Sequence, residues 1–320
     1  MTQMNERMNA AAKLIRSARS VVLACHVGPD GDALGSMLGM AVALRRAGKE
    51  VYPSFGEPFS HMDVFRFLPV DMLVSPAGVP AEPELMMSFD AGSIDRLGEL
   101  ASQASRAGGL IVLDHHVTNV GFGTVDLIDG DAAATAVMVM KLLDELDWPL
   151  DPVIAECLLT GIVTDTGRYQ YSNTTPETLA MASRLVAAGA RPERISRHVY
   201  EESPFGFLKA TGEVLRRAVL EAELAFVWSY LSLADLEAAE IGPGDTDPLI
   251  DILRIARESD VAALAKETPD GRIKMSLRSR GRVDVGSIAS ALGGGGHHNA
   301  AGFTYDGTVE EAVAEVRVRL

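Results

Sequence analysis

The sequence has few cysteines and few aromatic residues. Its 320 residues include 2 cysteines, and aromatic side chains make up 6% of the chain. Cys25 and Cys157 lie in apolar runs without CxxC spacing, which argues against a disulfide framework and against a thiolate metal site. We therefore expect both to be reduced core thiols, as is typical of cytosolic proteins.

Long hydrophobic runs are also absent. The N-terminal segment MTQMNERMNAAAKLIRSARSVVLAC scatters its charges and contains only a short apolar run, whereas a membrane-spanning helix needs about 20 apolar residues. We therefore predict no membrane association, no export signal and a cytoplasmic location.

Positive charge is scarce. The chain has 29 Lys and Arg against 44 Asp and Glu, a net charge of −15. This balance argues against binding of long nucleic acids, because such binding depends on Lys and Arg displacing counterions from phosphates. The negative net charge still allows the protein to bind small anionic ligands if bound cations or a local basic patch supply positive charge.

What is present indicates a globular α/β protein. Apolar residues make up 47% of the chain and charged residues 23%, as in ordinary globular domains. Short apolar runs at 21–25, 85–89 and 110–113 lack period-2 alternation, which is typical of parallel strands buried on both faces. Helical patterns lie between and around these runs, so we predict an open parallel sheet.

The length favours two domains, because single cores rarely grow beyond roughly 250–300 residues. The sequence becomes more polar around residues 191–210, and we place the connection there. A hairpin near 215–230, strands at 261–267 and 272–278 and a helix at 284–292 would then form a smaller α+β domain. The predicted boundaries are 1–192 for the first domain, 193–212 for a linker and 213–320 for the second domain.

Metal-ligand side chains follow the predicted strands. VVLAC leads into His26, LMMSF into Asp90, and LIVL into Asp114. The carboxyl ends of parallel strands meet at one edge of a sheet, where ligands bind, so we expect these side chains to converge. With nearby residues, the candidate metal ligands are His26, Asp30, Asp32, Asp90, His115 and Asp165.

Two divalent cations explain this set better than core packing does. Buried carboxylates cost several kcal/mol each unless they are paired or bind metal, and no Lys or Arg lies in these motifs before Arg168. Four aspartates and two histidines without cysteine suit Mn²⁺ or similar ions. Taken singly, Asp30 or Asp32 could be a helix N-cap. His26 or His115, alone, could be a core histidine.

Four motifs resemble those of the DHH phosphoesterase superfamily in order and spacing. They are HVGPDGDALGS, FDAG, LDHHVTN and GIVTDTGRYQYSN. The segment SLRSRGRVDVGSIASALGGGGHHNAAGF resembles the DHH-associated domain with its GGGxH signature. The resemblance covers residues of about 10 to 305 and is strongest to the branch of bifunctional oligoribonucleases and pAp phosphatases.

The resemblance implies two Mn²⁺ ions, with Mg²⁺ or Co²⁺ as alternatives, bridged by Asp90. It also implies that Asp114 orients the neighbouring histidines and that His116 faces the substrate as a catalytic group, protonating or stabilising the leaving oxygen. The other ligands would be His26 and Asp30 for one ion, and Asp32, His115 and Asp165 for the second.

The second domain would bind the substrate. Strand alternation in RIKMSLRSR places Arg278 on a basic face, where we expect it to bind phosphate, while Arg272 and Lys274 could equally be solvated edge charges. Four consecutive glycines before His297 allow backbone N–H groups to approach an anion. The candidate substrate-binding residues are Arg278, Gly295, Gly296 and His297, and a contact from His298 is left open.

We therefore expect a hydrolase of short oligoribonucleotides and of the 3′-phosphate of pAp. Related proteins also act on cyclic dinucleotides such as cyclic di-AMP, and the sequence leaves that activity open here. Relatives are often homodimers, so we expect a homodimer. The alternatives are an inorganic pyrophosphatase, against which the GGGGHH segment argues, and an inactive nucleotide-sensing module, against which the intact ligand set and His116 argue.

Overall fold

The computed structural model describes residues 3–59 and 63–320. The chain divides into two compact units, residues 1–202 and 203–320. The first is built around a parallel sheet and the second around a mixed sheet. The predicted α/β fold class is thus confirmed. No helix in the described part of the chain combines the length and apolar character needed to cross a bilayer.

The sheet of the first unit is entirely parallel, with strand order β2-β1-β3-β4-β5. The predicted strands β1, β3 and β4 lie at its centre and are almost wholly buried. The sequence analysis missed both edge strands, because β2 contains Pro53 and β5 is only half-buried. Edge positions tolerate both features. The strands are β1 (Ser20–Cys25), β2 (Glu50–Phe55), β3 (Leu85–Phe89), β4 (Leu110–Asp114) and β5 (Val125–Ile128).

The strand order creates a switch point between β1 and β3, where ligands bind in open α/β sheets. The register aligns the strand ends there: Cys25 lies beside Phe89, and Phe89 lies beside Leu113. The residue that follows each of these three aligned positions therefore lies at the same level of the sheet. Those residues are His26, Asp90 and Asp114.

The helices of the first unit pack closely where the functional residues lie. A Cβ at Gly35 would lie 2.3 Å from the Cys157 carbonyl oxygen, and one at Gly161 would lie 2.5 Å from Asp32 Oδ1. Glycine therefore permits the close approach that places the start of α2 beside the end of α5. The helices are α1 (Gln3–Ser17), α2 (Gly31–Arg46), α3 (Ala101–Arg106), α4 (Thr135–Leu146), α5 (Pro152–Asp165), α6 (Pro176–Ala187) and α7 (Pro192–Ser196).

The second unit has a six-stranded sheet in the order β10-β11-β9-β8-β7-β6. Helices α8, α9 and α10 pack on one face, and α11 and α12 pack on the other. The predicted hairpin, the two strands and the helix are all present. The elements are α8 (Phe205–Arg216), β6 (Val219–Glu221), β7 (Phe226–Leu231), α9 (Leu233–Ala239), α10 (Leu249–Leu253), β8 (Val261–Glu267), β9 (Ile273–Ser279), α11 (Val285–Ala291), β10 (Gly295–His297), β11 (Ala300–Tyr305) and α12 (Val309–Arg317).

The segment 193–212, expected to be a linker, is largely helical. It contains the rest of α7, a π-helical turn at Arg197–Glu201 and the first part of α8. The two units meet in sequence between Glu202 and Ser203, inside that segment. Its polar composition reflects exposed helix faces, because Ala210 and Val214 of α8 are buried in the core of the second unit.

Candidate metal centre and catalytic site

The structure brings the six candidate metal ligands together beyond the carboxyl ends of the strands. They form two groups of three residues, and in each group one ligand atom per residue lies within 4.8 Å of those of the other two residues. A further group of the same kind joins His116 to Asp90 and His115. The first group is His26, Asp30 and Asp90, and the second is Asp32, His115 and Asp165.

Asp90 joins the two groups through its two carboxylate oxygens. Its Oδ2 lies 3.7 Å from His26 Nε2 and its Oδ1 lies 3.5 Å from His115 Nε2. The residue has a left-handed backbone with φ of 54°, which aspartate tolerates better than most residues. Its backbone N–H donates to the Leu113 carbonyl. The carboxylate therefore has the position of a bridging ligand.

Asp30 is both a helix cap and a member of the first group. Its Oδ1 accepts hydrogen bonds from the backbone N–H of Asp32 and of Ala33, both at 3.0 Å. The same oxygen lies 3.9 Å from His26 Nε2. The two sequence interpretations of Asp30 are thus compatible.

Asp32 is held by the N-terminus of α4. It is completely buried and accepts hydrogen bonds from the backbone N–H of Thr135 at 2.6 Å and of Ala136 at 3.0 Å. The Thr135 hydroxyl donates to Asp90 Oδ1 at 3.0 Å. The N-cap residue of α4, Ala134, makes no side-chain cap. The capping carboxylate comes from α2 instead.

Two histidine rings are oriented by backbone carbonyls. His26 Nδ1 lies 3.0 Å from the Val27 carbonyl oxygen, and His115 Nδ1 lies 3.2 Å from that of Ala132. A carbonyl only accepts, so these contacts favour the tautomer protonated on Nδ1. Nε2 of each ring then presents its lone pair to the carboxylates, as in metal-binding histidines.

The carboxylates repel one another strongly. Burial, together with neighbouring negative charges, raises the pKa of Asp32, Asp90 and Asp165 to about 7 each. Burial alone would lower the pKa of His115, but the surrounding carboxylates raise it to about 9. Within residues 3–59 and 63–320, none of these three aspartates pairs with Lys or Arg. Oxygen and imidazole donors in such surroundings fit divalent cations.

Asp114 organises the loop after β4. It is fully buried, and its Oδ1 lies 2.6 Å from His116 Nδ1. Its Oδ2 accepts from Asn119 Nδ2 at 2.6 Å, and Asn119 also donates to the Ala91 carbonyl. Burial would lower the pKa of His116, but the hydrogen bond to Asp114 raises it. Nδ1 is therefore engaged, and Nε2 is the nitrogen that can meet a substrate.

The sequence analysis missed Arg96 as well as Thr135. Arg96 lies in a 3₁₀ turn after β3, and its Nη2 is 3.5 Å from His26 Nδ1. The fold thus brings a guanidinium to the first ligand group. Its motif SIDRLG carries no recognisable ligand pattern, so only the tertiary contact identifies it.

In the second unit, the side chains of β9 alternate as predicted. Ile273, Met275 and Leu277 are buried, whereas Lys274 is exposed and Arg278 is half-buried. Arg278 Nε lies 3.4 Å from Asp251 Oδ1. Arg272 pairs with Asp270 in an exposed ion pair, which favours the solvated-edge interpretation for that residue.

The glycine-rich segment forms strand β10. Gly296 needs to be glycine, because its φ is 141° and a Cβ would lie 2.5 Å from the Ala300 carbonyl oxygen. A Cβ at Gly295 would meet nothing within 4 Å, so its backbone is accessible. His297 pairs with Ala300, which pairs with Arg278. These three backbone positions thus form one row across the sheet.

The two histidines after the glycines differ in what can be described. The side chain of His297 lies outside the described residues. His298 is linked to the preceding loop, because its Nε2 lies 3.1 Å from the Gly281 carbonyl oxygen and its Nδ1 lies 3.8 Å from Asp284 Oδ2. This contact gives His298 a role in holding the turn.

Two family models match the chain. One described as "DHH family, N-terminal domain" matches residues 20–162, and one described as "DHHA1 domain" matches residues 227–320. The chain is also similar to the bifunctional oligoribonuclease and PAP phosphatase NrnA of Thermus thermophilus. The two are 34% identical over 304 residues, which cover 94% of this chain and 89% of that relative.

Solved structures show the same architecture. An exopolyphosphatase-related protein from Bacteroides fragilis matches with a TM-score of 0.92 and 25% identity, over 100% of this chain and 97% of the other. RecJ of Thermus thermophilus in complex with Mn²⁺ matches with a TM-score of 0.57 and 14% identity, over 98% of this chain and 54% of RecJ. The RecJ likeness is one of fold alone.

Proposed function

The chain belongs to the DHH family, and on that premise we propose that it is a metal-dependent phosphoesterase acting on short oligoribonucleotides and pAp. It would release mononucleotides from the former and the 3′-phosphate from the latter. The observation that carries the proposal is the pair of ligand groups joined by Asp90. The 34% identical relative, named for both activities, supports the substrate class.

The ligand groups would hold two Mn²⁺ ions, because oxygen and imidazole donors without sulfur suit Mn²⁺ better than a structural zinc site. Bound divalent cations supply Lewis acidity at phosphate oxygens and make water a better nucleophile. Mg²⁺ or Co²⁺ could replace Mn²⁺ at such donors. His26 and Asp30 would serve one ion, Asp32, His115 and Asp165 the other, and Asp90 both.

His116 would act as the general acid. Asp114 accepts from Nδ1 of the ring, which supports the protonated form, and the pKa of His116 is raised as a result. The proton on Nε2 would then pass to the leaving oxygen as the P–O bond breaks. Asp114 would hold the ring in position without touching the substrate.

The second unit would bind the substrate phosphate. Its support is the row formed by Arg278, Ala300 and His297, together with the accessible backbone at Gly295. Gly296 would keep this strand close to its neighbour. Activity on cyclic di-AMP, a homodimeric state and a cytoplasmic location stay predictions from the family resemblance.

The proposal is tested by product chromatography. The protein is incubated with Mn²⁺ and, in parallel, pAp, a diribonucleotide, cyclic di-AMP or pyrophosphate. We expect AMP and phosphate from pAp, and mononucleotides from the diribonucleotide. Hydrolysis of pyrophosphate alone, or of none of these compounds, would contradict the proposed function.

A further inference from the structure

Arg96 stands at the edge of the ligand groups, and the turn that carries it is fixed. Its carbonyl accepts from the Val27 N–H at 2.9 Å, immediately after His26. Gly98 has a φ of 59°, and a Cβ there would lie 2.8 Å from Val27 Cγ1. Leu97 is fully buried. The backbone of Arg96 is therefore held against the loop that presents His26.

The guanidinium of Arg96 lacks a fixed acceptor. Its one side-chain contact in the described ranges is with His26 Nδ1 at 3.5 Å. That nitrogen also faces the Val27 carbonyl oxygen at 3.0 Å. When Nδ1 carries the proton and Nε2 faces the carboxylates, Nδ1 cannot accept from Arg96. The donors of this exposed side chain are then available to a ligand.

The net charge of the metal centre determines whether binding of the ligand requires a further cationic group. Four aspartates belong to the ligand groups: Asp30, Asp32, Asp90 and Asp165. Their four negative charges would balance two divalent cations, so a loaded centre would have no surplus positive charge. A phosphodiester carries about one negative charge at neutral pH, whereas a phosphomonoester carries about 1.5 to 2. The monoester therefore needs a further cation near the metals, and a guanidinium matches the geometry of phosphate oxygens.

We infer that Arg96 binds the phosphate undergoing hydrolysis and favours the phosphomonoester of pAp over the phosphodiester of an oligoribonucleotide. The inference rests on the proposed function and adds a determinant of substrate choice within the first unit. Arg278, in contrast, would bind a phosphate group that does not react.

The experiment compares Arg96→Gln and Arg96→Lys with the wild type. Arg45→Gln is the matched control, because Arg45 is also exposed but lies at the other end of α2 from Asp32, about 20 Å along the helix. For each protein, kcat/KM is measured with pAp and with a diribonucleotide lacking terminal phosphates. Inhibition by inorganic phosphate, bound Mn²⁺ and the thermal midpoint are measured in parallel.

We expect Arg96→Gln to lose about 10- to 100-fold in kcat/KM on pAp, the scale of a charge-assisted hydrogen bond, and about threefold or less on the diribonucleotide. Phosphate should inhibit this variant more weakly, while Mn²⁺ content and the thermal midpoint stay unchanged. Arg96→Lys should recover part of the loss, because it restores the charge but not the paired donors. Arg45→Gln should match the wild type.

Three outcomes would overturn the inference. Equal losses on both substrates, or loss of Mn²⁺ in Arg96→Gln, would mean that Arg96 only supports His26. No loss on either substrate would mean that it does not meet the phosphate. A wild type that hydrolyses neither substrate would instead contradict the proposed function, so the two failures are distinguishable.

Discussion

The two units place their candidate functional residues in opposite surroundings. In the first, Asp32 and Asp90 are 0% and 3% exposed, and backbone or hydroxyl groups hold their carboxylates. In the second, Gly295 and Gly296 are exposed and Arg278 is half-buried. The fold therefore positions the candidate ligands of the first unit, whereas the candidate substrate-binding residues of the second unit lie nearer its surface.

This difference predicts different roles for the two units. Buried like charges cost free energy unless cations bind among them, so the ligand groups of the first unit are suited to divalent cations. An exposed glycine segment beside a basic strand face costs little free energy and could bind different anions. We therefore expect substitutions in the first unit to affect turnover and metal content, and those in the second to affect substrate preference.

The largest effect should come from Asp90→Asn. Both ligand groups lose the shared carboxylate, so we expect kcat to fall by about a thousandfold or more and bound Mn²⁺ to fall with it. Asp131→Asn is the control, because Asp131 is an exposed aspartate outside both groups. Turnover of Asp90→Asn near that of the control, at saturating Mn²⁺, would show that no bridging ligand is needed.

His115→Ala and His116→Ala should separate metal binding from catalysis. His115 Nε2 faces three ligand carboxylates, whereas His116 Nδ1 is held by Asp114. We expect His116→Ala to keep most of its Mn²⁺ while losing about 10²- to 10⁴-fold in kcat, and His115→Ala to lose both. Elemental analysis and rates report the two quantities. Equal metal loss in both variants would contradict the separate roles.

Thr135→Val should weaken Mn²⁺ binding by about 10- to 100-fold, the usual effect of removing a hydrogen bond to a ligand. The substitution removes the hydroxyl that donates to Asp90 while keeping the backbone N–H that donates to Asp32. Thr135→Ser retains the hydroxyl and should bind Mn²⁺ almost normally. If Thr135→Val and Thr135→Ser bind Mn²⁺ equally, the Thr135 hydroxyl does not position the Asp90 carboxylate.

Arg278→Ala tests the role of the second unit in substrate preference. Losing a hydrogen bond to a charged group should cost about 1.5–3 kcal/mol in kcat/KM on a dinucleotide with a 5′-phosphate. The same dinucleotide without that phosphate should be hardly affected, and Mn²⁺ should remain bound. Arg272→Ala, which breaks the exposed pair with Asp270, is the control. A uniform loss on both dinucleotides would remove Arg278 from substrate selection.

The last prediction concerns the pH dependence of folding stability. Three aspartates have pKa values raised to about 7 from 3.8, and His115 has one raised to about 9 from 6.5. The folded metal-free protein thus holds more protons than the unfolded chain, and its stability should fall as pH rises from about 4 to 9. Mn²⁺ replaces those protons, so its stabilising effect should grow with pH. Thermal midpoints that rise with pH in the metal-free protein would contradict this.

Much of the first site could be predicted from the sequence because five of its six candidate ligands lie within seven residues of the end of an apolar strand. Asp165 instead ends helix α5. His26, Asp90 and Asp114 needed only the rule that parallel strands end at one edge. Thr135 and Arg96 could not be found in this way. Their contacts, to Asp90 and His26, join segments 45 and 70 residues apart, and such contacts depend on tertiary packing.

The fold shows the same pattern. The central strands are continuous apolar runs. The edge strands are less buried, because β2 begins with an exposed residue and β5 is mostly half-buried, so their sequences resemble loops. The polar stretch at 193–212 resembled a linker because its helices are exposed on one side. Tertiary packing decides which elements are buried on one face only, and the local sequence does not reveal this.

The number of Mn²⁺ ions bound per chain tests the central claim most directly. Metal-free protein is dialysed to equilibrium against increasing Mn²⁺, and bound metal is counted by elemental analysis beside Asp90→Asn. The two ligand groups predict two ions per wild-type chain, with thermal stabilisation that saturates at the same concentrations, and weakened binding in the variant. One ion or none, or equal binding by Asp90→Asn, would contradict a two-cation centre bridged by Asp90.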